Sequence, residues 1–275
     1  MMLRGKHEGG MMTRRSPVIV TATANICWLE PEVDFPRTPE ERAASAKACE
    51  DAGASVIHMH AEDSWAASLE AVRSASGAIV QCGMSSLAIP ERMEVFEHHA
   101  EMISVIASHH DEAFVGVDTN VLHTREELRQ YAELCREYRV KPEWEIWHTG
   151  SIWNLRWMID QGLLDPPYVT TLFFGWPGGT WSPPTVEEYL YRRKMMPEEC
   201  TVTVSIMGPE AYPILAAAIG QGDHVRVGTE DYPRLHDGSV APTEKLVAQV
   251  VDLVRAMGRQ VAQPEEAREL LGTYS

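Results

Sequence analysis

The chain is 275 residues long, 44% apolar, and carries a formal charge of −16, a composition that supplies a sizeable core at a length where an α/β barrel folds as one unit. So acidic a balance excludes the contiguous basic footprint that nucleic acid or an anionic membrane surface requires, and no window approaches the ~20 consecutive apolar residues of a membrane span. The five cysteines, Cys27, Cys49, Cys82, Cys135 and Cys200, are scattered without a C-x-x-C pair, which points to reduced thiols and a cytoplasmic protein.

Met1 to Arg15 holds glycine, charge and methionine but no apolar core of the length a signal peptide needs, so residues 1–16 are expected as a loosely ordered extension and 17–275 as one folded domain. Val18 to Thr23 reads as a first buried strand, followed by an irregular loop through Pro31 and Pro36. Thr38-Pro39-Glu40-Glu41 opens a helix with Thr38 as N-cap, proline at the first helical position and Glu41 closing a capping box. Gly53 stops that helix after Ala52. The stretch Ser55 to Asp63 then carries His58 and His60 on one face of a second strand, with Ile57 and Met59 on the other.

The rhythm repeats. Ala78 to Cys82 is read as a third strand with the loop Gly83 to Ser86 at its end, Pro90 to Ile106 as helix, and Ala113 to Asp118 as the fourth strand. Thr124 opens a helix ending near Arg139. Glu143 to Trp147 is a fifth strand, with His148 beyond it; Ile152 to Gln161 is helical and Gly162 closes it. Tyr168 to Phe174 is a sixth strand leading into the loop Gly175 to Trp181, Thr185 to Met195 a helix, and Thr201 to Ile206 a seventh strand. Pro209 to Ile219 is helical and His224 to Gly228 the eighth strand; helices Pro242 to Met257 and Pro264 to Leu270 complete the chain. Eight strand-helix units predict a (β/α)8 TIM barrel. A doubly wound open sheet is the alternative, but Ala24-Asn25-Ile26-Cys27 is not the glycine-rich phosphate turn that fold favours after its first strand.

In a barrel the chemistry collects at the carboxyl ends of the strands. The His58/His60 pair alone leaves two readings open, half of a metal site or one core and one surface histidine. Continuing the eighth strand through Arg226-Val227-Gly228-Thr229-Glu230-Asp231 turns Glu230 inward, two strands away from the histidines once the ring closes. Two histidines and a carboxylate leave an open position for substrate, as in a catalytic zinc site. Arg226 and Asp231 form a candidate working pair, the arginine orienting the carboxylate as a base; a solvated acidic loop and a structural salt bridge are the ordinary readings. Glu143 and Glu145 share a strand face and need partners if buried. His98-His99 and His109-His110 read as surface residues, His148 as a hydrogen-bonded loop histidine, and Cys82 as a small buried residue. Gly178-Gly179 is either a plain turn or a backbone approach to phosphate or thioester. Arg192-Arg193-Lys194 is the strongest basic cluster, read as a solvated helix face with the phosphates of a substrate as the sharper alternative. Trp144, Trp147, Trp153, Trp157, Trp176 and Trp181 crowd a region that is either a subunit interface or a pocket wall.

The motifs Thr38-Pro39-Glu40-Glu41, Ala52-Gly53-Ala54-x-Val56-Ile57-His58-Met59-His60, Pro142-Glu143-x-Glu145, Pro177-Gly178-Gly179, His224-Val225-Arg226-Val227-Gly228-x-Glu230-Asp231 and Pro264-Glu265-Glu266-Ala267-Arg268 occur in order along the chain. Together they resemble the beta-keto acid cleavage enzymes. The resemblance implies a zinc-dependent barrel, or one using another divalent ion of similar ligand preference. His58, His60 and Glu230 match its metal ligands, and Arg226 with Asp231 its catalytic pair. It implies a β-keto acid and acetyl-CoA as substrates, acetoacetate and an acyl-CoA as products, and a homo-oligomer, tetramer or dimer.

The substrate wall departs from the family pattern. Where the family's best-known member places a glutamate for the substrate's amino group, this chain is near Trp28, with Glu30 close by. Gly83, Ser86 and Gly116 stand at other wall positions, with Glu143 as a further substrate-binding candidate. An amino-tailed substrate is therefore disfavoured and a bulkier or apolar tail expected. A metal-dependent aldolase or hydrolase acting without CoA, and a non-catalytic metal-bearing keto-acid-binding protein, are the rival readings.

Overall fold

Thr38 starts the first helix as its sequence dictates: its side chain accepts from the Glu41 amide, Glu41 returns the bond, and Gly53 ends the helix in the left-handed region at φ 113°. Local signals of this kind, repeated, divide the chain into elements. The computed structural model describes residues 16–61, 64–112, 119–176 and 182–274. In chain order these form β1 (Val20–Thr23), α1 (Pro39–Ala52), β2 (Val56–Met59), α2 (Trp65–Ala75), β3 (Ile79–Cys82), α3 (Ile89–Glu97), β4 (Met102–Ile106), β5 (His109–Glu112), β6 (Thr119–Leu122), α4 (Arg125–Tyr138) and β7 (Lys141–Ile146). There follow α5 (Thr149–Asp160), β8 (Tyr168–Phe174), α6 (Val186–Met195), β9 (Cys200–Ile206), α7 (Ala211–Gln221), β10 (His224–Gly228), α8 (Thr243–Ala256) and α9 (Pro264–Leu271).

Eight of the strands close a parallel barrel in the order β1-β2-β3-β4-β7-β8-β9-β10, and β5 with β6 forms a separate antiparallel pair. The expected (β/α)8 barrel is therefore the observed fold. Thr23 pairs with His58 on one side and Gly228 on the other, so the ends of β2 and β10 lie in one layer, separated by a single strand. Gly228 must be glycine: a Cβ there would collide with Thr23, and its φ of 152° is one that L side chains rarely adopt.

Inward positions change character along the barrel axis. Val56, Ile79, Met102 and Val169 pack with Ala267 and Leu271 of α9, which plugs the amino end. One and two pleats further on come His58 and His60, Gln81, Glu143 and Glu145, Thr171 and Arg226, all buried. An apolar floor thus supports a polar, ionisable mouth.

The fourth barrel strand differs from expectation. It is Met102–Ile106, not 113–118, and the helix before it ends at Glu97 rather than running on to Ile106. The helix stops without glycine, because His99 itself takes the left-handed conformation at φ 49°. The segment 113–118, with Gly116, lies outside the described residues, as do Gly178, Gly179 and Trp181.

Candidate active site

His58 leaves the end of β2 with its ring inside the barrel, and His60 follows one pleat later. Asn25, just past β1, grips the His60 backbone from both sides: the His60 amide donates to Asn25 Oδ1 at 2.9 Å and Asn25 Nδ2 donates to the His60 carbonyl at 2.8 Å. Glu230 arrives from a tight turn after β10, not from a continued strand. Positive-φ Gly228 allows the reversal, the Asp231 amide closes it on the Gly228 carbonyl, and Thr229 anchors it by donating to the Ile26 carbonyl at 2.9 Å.

These three side chains converge. His58 Nε2 lies 3.1 Å from His60 Nε2 and 3.4 Å from Glu230 Oε2, and His60 Nε2 lies 3.5 Å from Glu230 Oε1. All three residues are buried. For metal-ligand bonds of about 2.0–2.1 Å, the edges of a tetrahedron are ~3.3 Å, and each of the three donor separations is close to that length, the two histidines facing different oxygens of the Glu230 carboxylate. Burial, with Arg226 nearby, holds the His58 pKa down at about 3, leaving the imidazole neutral as a metal ligand requires. Glu230 Oε2 has no hydrogen-bond partner among the described residues. Two nitrogen donors and one carboxylate fit zinc or a similar divalent ion.

Beside the triangle, Arg226 Nη2 reaches Glu230 Oε1 at 3.0 Å and Asp231 Oδ1 at 2.9 Å, while its Nε lies 3.2 Å from Asp231 Oδ2. A single guanidinium serves two buried carboxylates. Burial alone would raise Glu230, but Arg226 and the two imidazoles outweigh it and hold the group ionised. Asp231 goes the other way: burial and the adjacent Glu230 charge push its pKa up despite Arg226. The guanidinium also lies over the Phe173 ring, 5.1 Å from its centroid.

Opposite the triangle is a cavity of about 130 Å³, lined by Trp28, Met84, Ser85, Ser86, His110, Glu145, Trp147, Phe173 and Trp176 together with His58, His60, Arg226 and Glu230. His110, Trp147 and Phe173 form a column of stacked rings with centroid separations of 4.1 and 4.2 Å, and Trp176 stands edge-on to Trp147 at 5.1 Å. The Ser85 carbonyl accepts from His123 Nε2 at 2.7 Å, which fixes the loop after β3.

Trp28 and Ser86 thus line the cavity, and Gly83 packs directly against both imidazoles. Glu143 sits behind the wall, accepting from Gln81 Nε2 at 2.6 Å; burial, with Glu145 adding to it, raises its pKa to about 7. Its neighbour Glu145 is the carboxylate at the cavity, accepting from Trp147 Nε1 at 2.9 Å. Glu30 is held away by two bonds from Arg234, at 2.7 and 2.6 Å. His148 caps α5 and donates to the His109 carbonyl, as a loop histidine would.

Two expectations are corrected. His110 is buried in the cavity wall, not a surface residue, because the β5–β6 pair folds over the barrel mouth. Arg192 is also fully buried, donating to the Phe173 and Ile146 carbonyls, and Arg193 is bound to Asp223. Neither is set up for phosphate.

A parallel barrel with its ionisable residues gathered at the carboxyl ends of the strands defines a (β/α)8 barrel of the enzyme type. The family model for the beta-keto acid cleavage enzyme matches residues 17–273, and the chain belongs to that family. It is similar to the 3-keto-5-aminohexanoate cleavage enzyme of Fusobacterium nucleatum, 30% identical over 275 residues covering 90% of this chain and 96% of that protein. It is 27% identical to the 3-oxoadipate:acetyl-CoA acetyltransferase of Cupriavidus necator over 283 residues, 96% of this chain and 97% of the other. Among solved structures, apo ObcA shares the fold with a TM-score of 0.73 at 17% identity; the match covers 87% of this chain and 65% of ObcA, just under two thirds of its length.

Proposed function

We propose that this chain is an acyltransferase that cleaves a β-keto acid with acetyl-CoA, giving acetoacetate and the CoA ester of the remaining acyl fragment. Family membership supports the cleavage, and the acetyl-CoA named for the Cupriavidus necator relative supports the co-substrate. The observation that carries the site assignment is the convergence of His58, His60 and Glu230 beside the Arg226–Asp231 pair, at the head of a cavity.

In this reading His58, His60 and Glu230 hold zinc or a similar divalent ion, which when bound supplies Lewis-acid stabilisation to the enolate-like charge of carbon-carbon bond cleavage. Asp231 takes a proton from the keto acid's C2. Its raised pKa makes it a better proton acceptor than an ordinary aspartate, and Arg226 fixes its direction through two donor atoms.

We assign the substrate an uncharged, apolar tail. Trp28, Met84, Phe173 and Trp176 offer apolar surface. Glu30, the acid nearest the position of the family's amino-binding glutamate, is bound to Arg234, and Glu145 is engaged by Trp147. A cytoplasmic homo-oligomer, tetramer or dimer, belongs to the same reading. Its support is the five free cysteines and the exposed apolar side chains of Leu122, Trp153 and Tyr191. Among the described residues no helix is long and apolar enough to cross a membrane.

The test is a panel of β-keto acids given to metal-replete protein with and without acetyl-CoA, reading acetoacetate. Turnover without acetyl-CoA would mean an aldolase or hydrolase. Saturable binding with no turnover across the panel would mean a keto-acid-binding protein.

A further inference from the structure

Gln81 is 1% exposed inside the barrel, on β3, in register with His58 of β2. Its amide touches two groups of different demand. Gln81 Oε1 lies 2.7 Å from His58 Nδ1, and Gln81 Nε2 donates to Glu143 Oε2 at 2.6 Å. Flipping the amide would set its carbonyl oxygen against an ionised carboxylate oxygen and its NH2 against His58, so Glu143 in its ionised form fixes the orientation. A carbonyl oxygen only accepts, and His58 Nδ1 must therefore carry the hydrogen. In a neutral imidazole the other nitrogen is then a bare lone pair. That nitrogen, Nε2, is the one facing His60 and Glu230. The opposite tautomer would point a hydrogen into the triangle, where a cation has to sit.

His60 has no corresponding device. Its Nδ1 is buried with no hydrogen-bond partner among the described residues, and its placement comes from Asn25 acting on its backbone. Proton placement in the pair is thus set from the side of His58.

We propose that Gln81 is a positioning residue for the metal site: directed by Glu143, it holds His58 in the Nδ1–H tautomer and so keeps Nε2 open to a divalent cation. The proposal rests on the reading of His58, His60 and Glu230 as ligands. Partners of ligating histidines are worth about 10- to 100-fold in metal affinity. The amide, with one accepting and one donating end, serves both neighbours at once.

The experiment compares wild type, Gln81→Met and the double variant Gln81→Glu/Glu143→Gln. Zinc affinity is read by chelator competition on metal-free protein, and the His58 tautomer by 15N NMR of metal-free protein labelled at histidine, with His58→Gln assigning the signal. Gln81→Met preserves length but accepts no strong hydrogen bond; about 10- to 100-fold weaker zinc binding and loss of the fixed Nδ1–H tautomer are expected. The double variant exchanges the two partners, so that a carboxylate accepts from His58 and an amide donates to it; both the tautomer and zinc affinity should return to wild type. Wild-type tautomer and affinity in Gln81→Met, or a double variant that folds without the Nδ1–H tautomer, would overturn the proposal. Wild type that binds no zinc would overturn the ligand assignment instead, while the metal-free spectra still decide whether Gln81 sets the tautomer.

Discussion

Gly83 lies flat against the His60 imidazole: a Cβ at position 83 would stand 2.5 Å from both Cδ2 and Nε2 of that ring, and 2.8 Å from His58 Nε2. No side chain fits without moving an imidazole nitrogen. Gly83→Ala is therefore expected to weaken zinc binding by about tenfold or more while leaving thermal stability close to wild type, because the displaced ring can shift into the adjoining cavity. Metal titration of the folded variant checks this, and unchanged affinity would mean that the imidazoles do not hold the metal where they now point.

Arg226 balances two buried carboxylates, and its two partners predict different losses. Asp231→Asn keeps the arginine's contacts to Glu230 and should retain fold and metal, yet turnover should fall by about 10²- to 10⁴-fold, the usual contribution of a general base. Arg226→Met strands two carboxylates in the barrel and should destabilise the protein by about 3–5 kcal/mol, as loss of one partner of a buried ion pair does. Steady-state kinetics and urea unfolding separate the two; near wild-type turnover in Asp231→Asn would remove it as the base.

Trp28 presents its indole to the cavity. Trp28→Glu should raise kcat/KM for a β-keto acid bearing an amino group relative to one with an alkyl tail of equal length, by placing a carboxylate where none is free to pair. The ratio of the two kcat/KM values is the measurement. A ratio unchanged by the substitution would place the substrate tail against another part of the wall.

His224 tests the seam between β1 and β10, at the start of β10. Its Nδ1 accepts the Ile19 amide at 3.0 Å, and burial, reinforced by Arg259, holds its pKa at about 4, below the ordinary 6.5. With the folded pKa depressed, the unfolded chain binds more protons between those values. The resulting stability is complete above pH 6.5 and is lost as pH falls toward 4, on the order of 3 kcal/mol in all. His224→Asn should flatten the fall in melting temperature between pH 7 and pH 5; an equal fall in both proteins would assign the acid sensitivity elsewhere.

Much of this was legible in the sequence, and the failures share a cause. The strands Tyr168–Phe174 and His224–Gly228 stand at the residues expected, because short valine-, threonine- or aromatic-bearing runs bounded by turn residues leave little choice. Met102–Ile106 was hidden because His99, not a glycine, ends the helix before it. Strand order brings the ends of β2 and β10 together, but the turn at Gly228 that carries Glu230 to His58 and His60 replaces the continued strand expected there. The cavity wall does not: His110, Trp176 and Met84 reach it through segments folding over the mouth, and no local pattern encodes that. Glu143 and Glu145 share a strand face, so periodicity could not tell which meets the cavity and which, one layer deeper, directs Gln81. Arg192 looked like solvated charge because the strand-end carbonyls it serves are distant in sequence.

The most direct test of the proposed chemistry uses acetyl-CoA labelled in its acetyl carbons, supplied with an apolar-tailed β-keto acid and the zinc-replete protein. Cleavage between C2 and C3 of the keto acid joins its carboxymethyl carbons to the acetyl group, so the label should appear in acetoacetate, with one unlabelled acyl-CoA formed per acetoacetate. Label retained in acetyl-CoA while the keto acid is consumed would contradict the acyl transfer.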